Sequence, residues 1–212
     1  MSGTAPAGGR RRADRRDHPA TGLPAPTGRT NELGERLTET ELTHQCIFLL
    51  NAGHETTTNL IGNALYTLTQ WEREKARLIS NPQLIEMAVE EFLRFESSNQ
   101  LGNRISTRPV TVGGASLSAD SRITLCIGAA NRDPAQFPDP DRLDLGRQPN
   151  RHVAFGFGIH TCAGLNLARL EGRIAISRFI ARFPGYELAR EPERGGRARF
   201  RGFLHLPVRL RP

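Results

Sequence analysis

The sequence predicts a mainly α-helical protein with small β-sheet modules, in the α+β class. Apolar residues recur at helical spacing in three separate stretches, and short β-prone runs lie between the second and third of them. With 212 residues, 37% of them apolar, the chain is long enough to bury a core if most of it folds. We therefore expect helices around one core, with small hairpins attached.

The N-terminal segment differs from the rest in charge and composition. Residues 1–30 hold six arginines against two aspartates, which is four of the seven net positive charges. Prolines and glycines are frequent there and apolar residues are rare, so burial cannot offset the entropy of ordering. We predict a disordered basic segment over 1–34 and a folded part over 35–212. A solvated tail is the simplest interpretation, and nucleic-acid binding ranks last because no base-reading element accompanies the arginines.

The first helix is predicted from Leu42 to about Glu74. Thr38 and Glu41 form the capping-box pattern in front of it. Its centre reads "AGHETTT", and glycine with three threonines costs helix stability, so we expect a bend or local opening there. Glu55 and Thr56 could relay a proton in that gap, although threonine on a buried helix face is more often part of the core.

The second helix is predicted from "NPQLIEMAVEEFLRF", with Asn81 as N-cap, Pro82 in the first turn and Phe95 at its end. Glu91 and Arg94 lie three residues apart, on one face, and can pair. An exposed pair of this kind contributes at most about 1 kcal/mol and is common on helix surfaces.

The remaining segments predict hairpins, a loop and a last helix. Residues 110–134 alternate β-prone runs with turn residues, and "RDPAQFPDPDRLDLGR" indicates an irregular loop. Helical spacing returns from Leu165 to Phe183. The final "GFLHLPVRL" suggests a closing strand pair.

Cysteine placement directs attention to one loop. Three separated cysteines, with no CxxC pair, argue against a disulfide framework or a structural zinc site and fit a reducing cytoplasm. No targeting signal or membrane-spanning run is visible. Cys162 lies in "FGFGIHTCAG", directly before the last helix, where the helix N-terminus favours a thiolate. Such a thiolate is a nucleophile or a metal ligand, whereas most free cysteines are small buried apolar residues.

This stretch resembles the haem-binding loop of the cytochrome P450 family, F-G-x-G-x-H/R-x-C-x-G, at every defined position. "AGHET" is similar to that family's oxygen-binding segment, "EFLR" to its E-x-x-R motif, and "ANRDPAQFPDPDRLD" to its meander, with Arg132 and Phe137 in matching places. The resemblance covers about Glu35 to Arg209. It implies a partial cytochrome P450 fold of the bacterial type.

The resemblance also implies roles for individual residues. Cys162 would be the axial ligand of the iron of haem b, with Phe155 packed against it. Glu55 and Thr56 would deliver protons to dioxygen, and Glu91 with Arg94 would be a structural pair. The other residues expected at the cofactor are Ala52, Gly53, Gly156 and Gly164 around the haem, with Arg104 and His160 at its propionates.

By this resemblance the chain is a haem-thiolate monooxygenase that inserts one oxygen atom of dioxygen into a small organic substrate. Electrons would come from NAD(P)H through a ferredoxin-type or reductase partner, in the cytoplasm and without a membrane. Family members are about twice as long, and we expect apolar surface to be exposed where their N-terminal helices would pack. The alternative is a non-catalytic, degenerate fragment that still binds haem.

Overall fold

The computed structural model describes residues 36–211. The predicted basic segment, 1–34, lies outside the described residues. The described part falls into two units whose boundary lies between His44 and Gln45, within the first helix. The helices are α1 (Glu39–Gln70), α2 (Glu72–Ser80), α3 (Ile85–Phe95), α4 (Ile127–Ala130) and α5 (Leu165–Arg182).

The start of α1 confirms the predicted capping box. The Thr38 amide donates to Glu41 Oε2 at 2.8 Å, and the Glu41 amide donates to Thr38 Oγ1 at 3.2 Å. The predicted end near Glu74 was wrong. The helix ends at Gln70, and α2 begins after Trp71.

The stretch through "AGHETTT" is α-helical without a break, so the predicted opening is not seen. The hydroxyls of Thr56 and Thr58 instead donate to the carbonyls of Ala52 and His54, at 3.0 and 2.8 Å. These bonds satisfy the hydroxyls within the helix itself.

The second predicted helix begins later than the sequence indicates. Asn81 makes no side-chain cap bond, and Pro82–Leu84 form a single 3₁₀ turn before α3 starts at Ile85. The helix ends at Phe95 as predicted. The last helix, α5, also has nearly the predicted bounds.

Eight short strands form four two-stranded antiparallel sheets. They are β1 (Leu101–Ile105), β2 (Val110–Val112), β3 (Ala115–Leu117), β4 (Arg122–Cys126), β5 (Glu187–Leu188), β6 (Glu193–Arg194), β7 (Phe203–His205) and β8 (Val208–Arg209). The pairs are β1 with β4, β2 with β3, β5 with β8 and β6 with β7. The closing strand pair was therefore wrong in one respect, because β7 and β8 pair with β6 and β5 rather than with each other.

One core joins the C-terminal half of α1 to the later helices and the loop after α4. Its buried apolar residues include Leu60, Leu68, Val89, Phe92, Leu143, Leu145, Ile176 and Tyr186. The helices α1, α3 and α5 approach closely at Gly172, where an added Cβ would lie 3.2 Å from Leu60 and 3.4 Å from Val89. A side chain at this crossing would press on both neighbours, so glycine favours the close approach of the three helices.

The N-terminal part of α1 is not packed in this way. Leu49 and Leu50 are exposed, as are Ile47 and Phe48 beside them. On α5, Leu167, Leu170 and Ile174 are exposed as well. The chain therefore presents apolar surface on both helices, in agreement with the expectation from the resemblance.

Candidate active site

The cysteine-containing loop, residues 155–164, owes its shape to its glycines. Gly156 and Gly158 have φ angles of 74° and 70°, which side-chain-bearing residues rarely adopt. A 3₁₀ turn, Gly158–His160, follows, and the Thr161 amide and hydroxyl both donate to the Gly158 carbonyl. The loop thus turns tightly before the chain enters α5.

Cys162 is held at the base of this loop. Its amide donates to the Phe155 carbonyl at 2.9 Å, while its side chain is exposed. An added Cβ at Gly164 would lie 4.0 Å from the Cys162 sulfur, so glycine leaves this side of the thiol open. The thiol is therefore displayed at the start of α5, and the alternative of a small buried cysteine was wrong.

The large apolar side chains of the same loop, apart from Phe155, are exposed. Phe157 is 86% exposed and Ile159 is 97% exposed, and His160 is exposed as well. Phe155 alone among the loop's aromatic residues packs against the core. Exposed apolar residues grouped around a polar functional group are typical of a binding surface.

The predicted acid and alcohol lie in α1, about one turn before the crossing with α5. Thr56 donates to Ala52, as described above, and Glu55 forms an ion pair with Arg197. Ala52 and Gly53 are exposed, and an added Cβ at Gly53 would have no atom within 4 Å. This face of α1 is open to a ligand.

The other predicted residues occupy separate places. Arg104 lies on β1, is exposed, and its guanidinium donates to the Asn103 carbonyl at 2.8 Å. Within residues 36–211 no hydrogen bond or ion pair joins Thr56, Arg104 and Cys162.

Glu91 and Arg94 form a fully buried pair and not the surface pair that was the alternative. Two hydrogen bonds of 2.8 Å join the guanidinium to the carboxylate, and both side chains are 0% exposed. Arg94 also donates to the carbonyls of Asn131 and Pro140, each at 2.9 Å. The pair therefore anchors the loop after α4 to α3.

Three further groups complete the environment of Glu91. The Asp144 amide, Arg147 Nε and Asn150 Nδ2 donate to its carboxylate at 3.1, 3.2 and 3.1 Å. Sequence reasoning missed Arg147, Asn150 and the Glu55 partner Arg197. Their distance from Glu91 and Glu55 along the chain leaves no local signal, although the arginine-rich "RGGRARF" around Arg197 does mark that turn as charged.

Two residues of the meander, Arg132 and Phe137, contact the C-terminal end of α3. Arg132 donates to the Phe95 carbonyl through Nε at 3.0 Å and lies 3.7 Å over the Phe95 ring. Phe137 is buried, with the Arg94 guanidinium 5.2 Å from its ring centroid. The irregular loop predicted there is thus ordered by arginine contacts rather than by secondary structure.

The donor set limits what kind of metal centre this site can hold. Among the described residues there is no group of three or more His, Cys, Asp or Glu side chains that could hold a metal ion. A single thiolate is a sufficient protein ligand where a prosthetic group supplies the remaining ligands. The exposed Cys162 thiol and the exposed apolar side chains of its loop fit a large flat macrocycle.

Comparison with known proteins identifies the family. The cytochrome P450 family model matches residues 72–192, more than half of the chain. The chain belongs to the cytochrome P450 family.

Several relatives are similar along most of this chain. It is 44% identical over 155 residues to the biotin biosynthesis cytochrome P450 of Bacillus subtilis, covering 73% of this chain and 39% of the relative. It is 46% identical over 161 residues to the vitamin D(3) 25-hydroxylase of Pseudonocardia autotrophica, covering 76% and 40%. The chain spans less than half the length of these curated relatives.

Solved structures agree with the fold. CYP109E1 from Bacillus megaterium in complex with testosterone matches with a TM-score of 0.82 and 36% identity, over 86% of this chain and 51% of that one. P450BioI with an acyl carrier protein ligated to hexadec-9Z-enoic acid matches with a TM-score of 0.81 and 42% identity, over 84% and 47%. The fold is a partial cytochrome P450 fold. Across the described residues, no helix has the length and apolar character needed to cross a membrane.

Proposed function

We propose that this chain supplies the haem-thiolate and oxygen-activating part of a cytochrome P450 monooxygenase. The observation that carries the proposal is the exposed thiol of Cys162, whose backbone amide donates to the Phe155 carbonyl in a glycine-shaped loop at the start of α5. Family membership supports haem b as the group that this thiol meets. When bound, haem activates dioxygen so that one oxygen atom enters an organic substrate and the other leaves as water.

The chain's own residues would hold the macrocycle on two sides. Gly156 and Gly164 would let the backbone approach the macrocycle beside Phe155, and the small residues Ala52 and Gly53 would allow approach from α1. Arg104 and His160 are exposed N–H donors suited to the propionates. Cys162 would supply the one ligand from the protein.

Glu55 and Thr56 are proposed to move protons on the α1 side. The Glu55 carboxylate is partly exposed, so water reaches it, and it is paired with Arg197. The Thr56 hydroxyl donates to Ala52 and keeps its lone pairs available to accept a hydrogen bond. Glu91 and Arg94, being buried and distant from solvent, are assigned a structural role.

Electrons would come from NAD(P)H through a ferredoxin-type or reductase partner, as the family implies. The substrate would be a small organic molecule that lies on the apolar side of α1, near Leu50 and Ala52. Related structures hold testosterone, corticosterone or an acyl carrier protein ligated to hexadec-9Z-enoic acid. These ligands make steroids and fatty acyl chains the natural first probes.

The test offers testosterone and hexadec-9Z-enoic acid to the haem-loaded 212-residue chain with a ferredoxin, its reductase, NADPH and ¹⁸O₂. Mass spectrometry then measures labelled hydroxylated product. Incorporation of one labelled oxygen atom that is lost in Cys162→Ala supports the proposal. NADPH consumption without labelled product, in a sample shown to contain haem, would favour the non-catalytic fragment instead.

A further inference from the structure

The side chains behind the cysteine loop form a cluster that the proposed function does not use. Glu90, the neighbour of Glu91 on α3, accepts two hydrogen bonds from Arg169 on α5, at 2.7 and 2.8 Å. The ring nitrogen Nε2 of His152 lies 3.1 Å from the same carboxylate. Glu90 thus joins α3, α5 and the segment that leads into the loop.

The tautomer of His152 follows from its second neighbour. The Ala154 amide donates to His152 Nδ1 at 3.2 Å, so Nδ1 is an acceptor and Nε2 carries the hydrogen that is donated to Glu90. The His152 side chain is only 3% exposed. The ring is therefore fixed at both nitrogens, and its direction is set by Glu90 and the backbone.

Arg169 connects this cluster to the thiol. Its guanidinium lies 4.8 Å from the centroid of the Phe155 ring, and the His152 ring centroid is 6.1 Å from the same ring. The Phe155 carbonyl is the acceptor for the Cys162 amide. The ring of Phe155 is thus covered by two groups that Glu90 holds, and its backbone holds Cys162.

We propose that Glu90 is a positioning residue for Cys162, acting through Arg169, His152 and Phe155. The two neighbouring glutamates of α3 then support different segments: Glu91 orders the meander, and Glu90 orders the cysteine loop. The inference rests on the proposed function in one respect: the role of the loop, which is to present a thiolate to haem. The mechanical link from Glu90 to the Cys162 amide is independent of any cofactor.

The first experiment measures amide hydrogen exchange of the peptide 155–164 in the full chain without haem. We expect at least about tenfold faster exchange in Glu90→Gln, because the neutral amide loses the ion pair with Arg169 and the loop opens more often. Glu86→Gln is the matched control, since Glu86 pairs with Arg173 at 3.0 Å across the same two helices without touching Phe155. Exchange in the α3 peptide reports whether either variant loosens the fold as a whole.

A second variant separates charge from shape. Arg169→Lys keeps the positive charge beside Glu90 but lacks the planar group that covers Phe155, so we expect an intermediate rise in loop exchange. Equal exchange in wild type, Glu90→Gln and Arg169→Lys would overturn the proposal. So would a rise of the same size in the Glu86→Gln control or in the α3 peptide.

The second experiment adds haem and carbon monoxide to the same variants after reduction. We expect Glu90→Gln to show a smaller fraction of the thiolate-ligated Soret band, and Glu86→Gln to match wild type. Absence of that band in wild type would contradict the proposed function, while the exchange data would still decide whether Glu90 orders the loop. An unchanged thiolate fraction in Glu90→Gln, with wild type ligated, would overturn the positioning role.

Discussion

The guanidinium of Arg94 donates two hydrogen bonds of 2.8 Å to the Glu91 carboxylate, and neither side chain has any exposed surface. Removing one partner leaves the other with an uncompensated charge away from water. Arg147 also donates to Glu91, so the carboxylate would keep part of its compensation. Even with this partial compensation, we expect breaking the buried pair to lower the free energy of unfolding strongly.

We predict that Arg94→Met lowers the free energy of unfolding by about 3–5 kcal/mol. Urea unfolding followed by circular dichroism measures this. The control is Arg173→Met, which removes a pair with a mostly exposed glutamate and should cost no more than about 1 kcal/mol. Equal losses in the two variants would contradict a structural role for the buried pair.

Gly172 and Gly53 provide a second comparison within helices. Alanine gains about 1 kcal/mol over glycine in a helix, and at Gly53 the new methyl group meets nothing within 4 Å. At Gly172 the same group would lie 3.2 Å from Leu60, so overpacking offsets the gain. We predict that Gly53→Ala raises the free energy of unfolding. The free energy of unfolding of Gly172→Ala should be at least about 1 kcal/mol lower than that of Gly53→Ala. Equal gains at both positions, measured by urea unfolding without haem, would show that the crossing is loose.

The pH dependence of stability should reveal the environment of Glu90. Burial raises the pKa of Glu90, but hydrogen bonds from His152 and Arg169 outweigh that effect and bring the pKa to about 2, below the ordinary 4.5. Because the folded-state pKa is the lower one, the carboxylate stabilises the fold above about pH 4.5, and this contribution is lost as the pH falls towards 2.

We therefore predict that Glu90→Gln is less stable than wild type at pH 7, and that the difference shrinks between pH 4.5 and 2. Unfolding free energies measured across this range test it. A constant difference at all pH values would mean that the carboxylate charge does not contribute.

The local elements of the fold were largely predictable from the sequence. The capping box at Thr38, the end of α3 at Phe95 and the bounds of α5 were all confirmed, because each depends on neighbours along the chain. The break at Trp71 and the burial of Glu91 with Arg94 were missed. Both depend on packing against distant segments, and a charged pair at helical spacing has the same sequence pattern on a surface as in a core.

The position of the cysteine loop could be predicted from the sequence, but the residues that support the loop could not. Its glycines and Cys162 form a dense local motif, whereas Glu90, His152 and Arg169 come from three separated segments. Similarly, Arg197 meets Glu55 only in the folded chain. Local chemistry is therefore visible in the sequence, while the side chains that orient it become visible only once the helices are packed.

The proposed proton path predicts a specific defect in Thr56→Ala. Haem binding should be retained, but a larger share of the electrons should appear as hydrogen peroxide because proton delivery is disturbed. Thr58→Ala is the matched control, since Thr58 makes the same kind of bond to the carbonyl four residues earlier. Peroxide per NADPH consumed is the measurement, and equal values in Thr56→Ala and wild type would remove Thr56 from the path.

The most direct test of the central claim is the absorption spectrum of the haem-loaded, reduced chain under carbon monoxide. Cys162→Ala removes the proposed ligand, and Cys126→Ala removes another exposed cysteine as a control. We predict a red-shifted Soret band in wild type and Cys126→Ala that is absent from Cys162→Ala. A band that survives in Cys162→Ala, or one that never forms in wild type, would contradict thiolate ligation of haem by this chain.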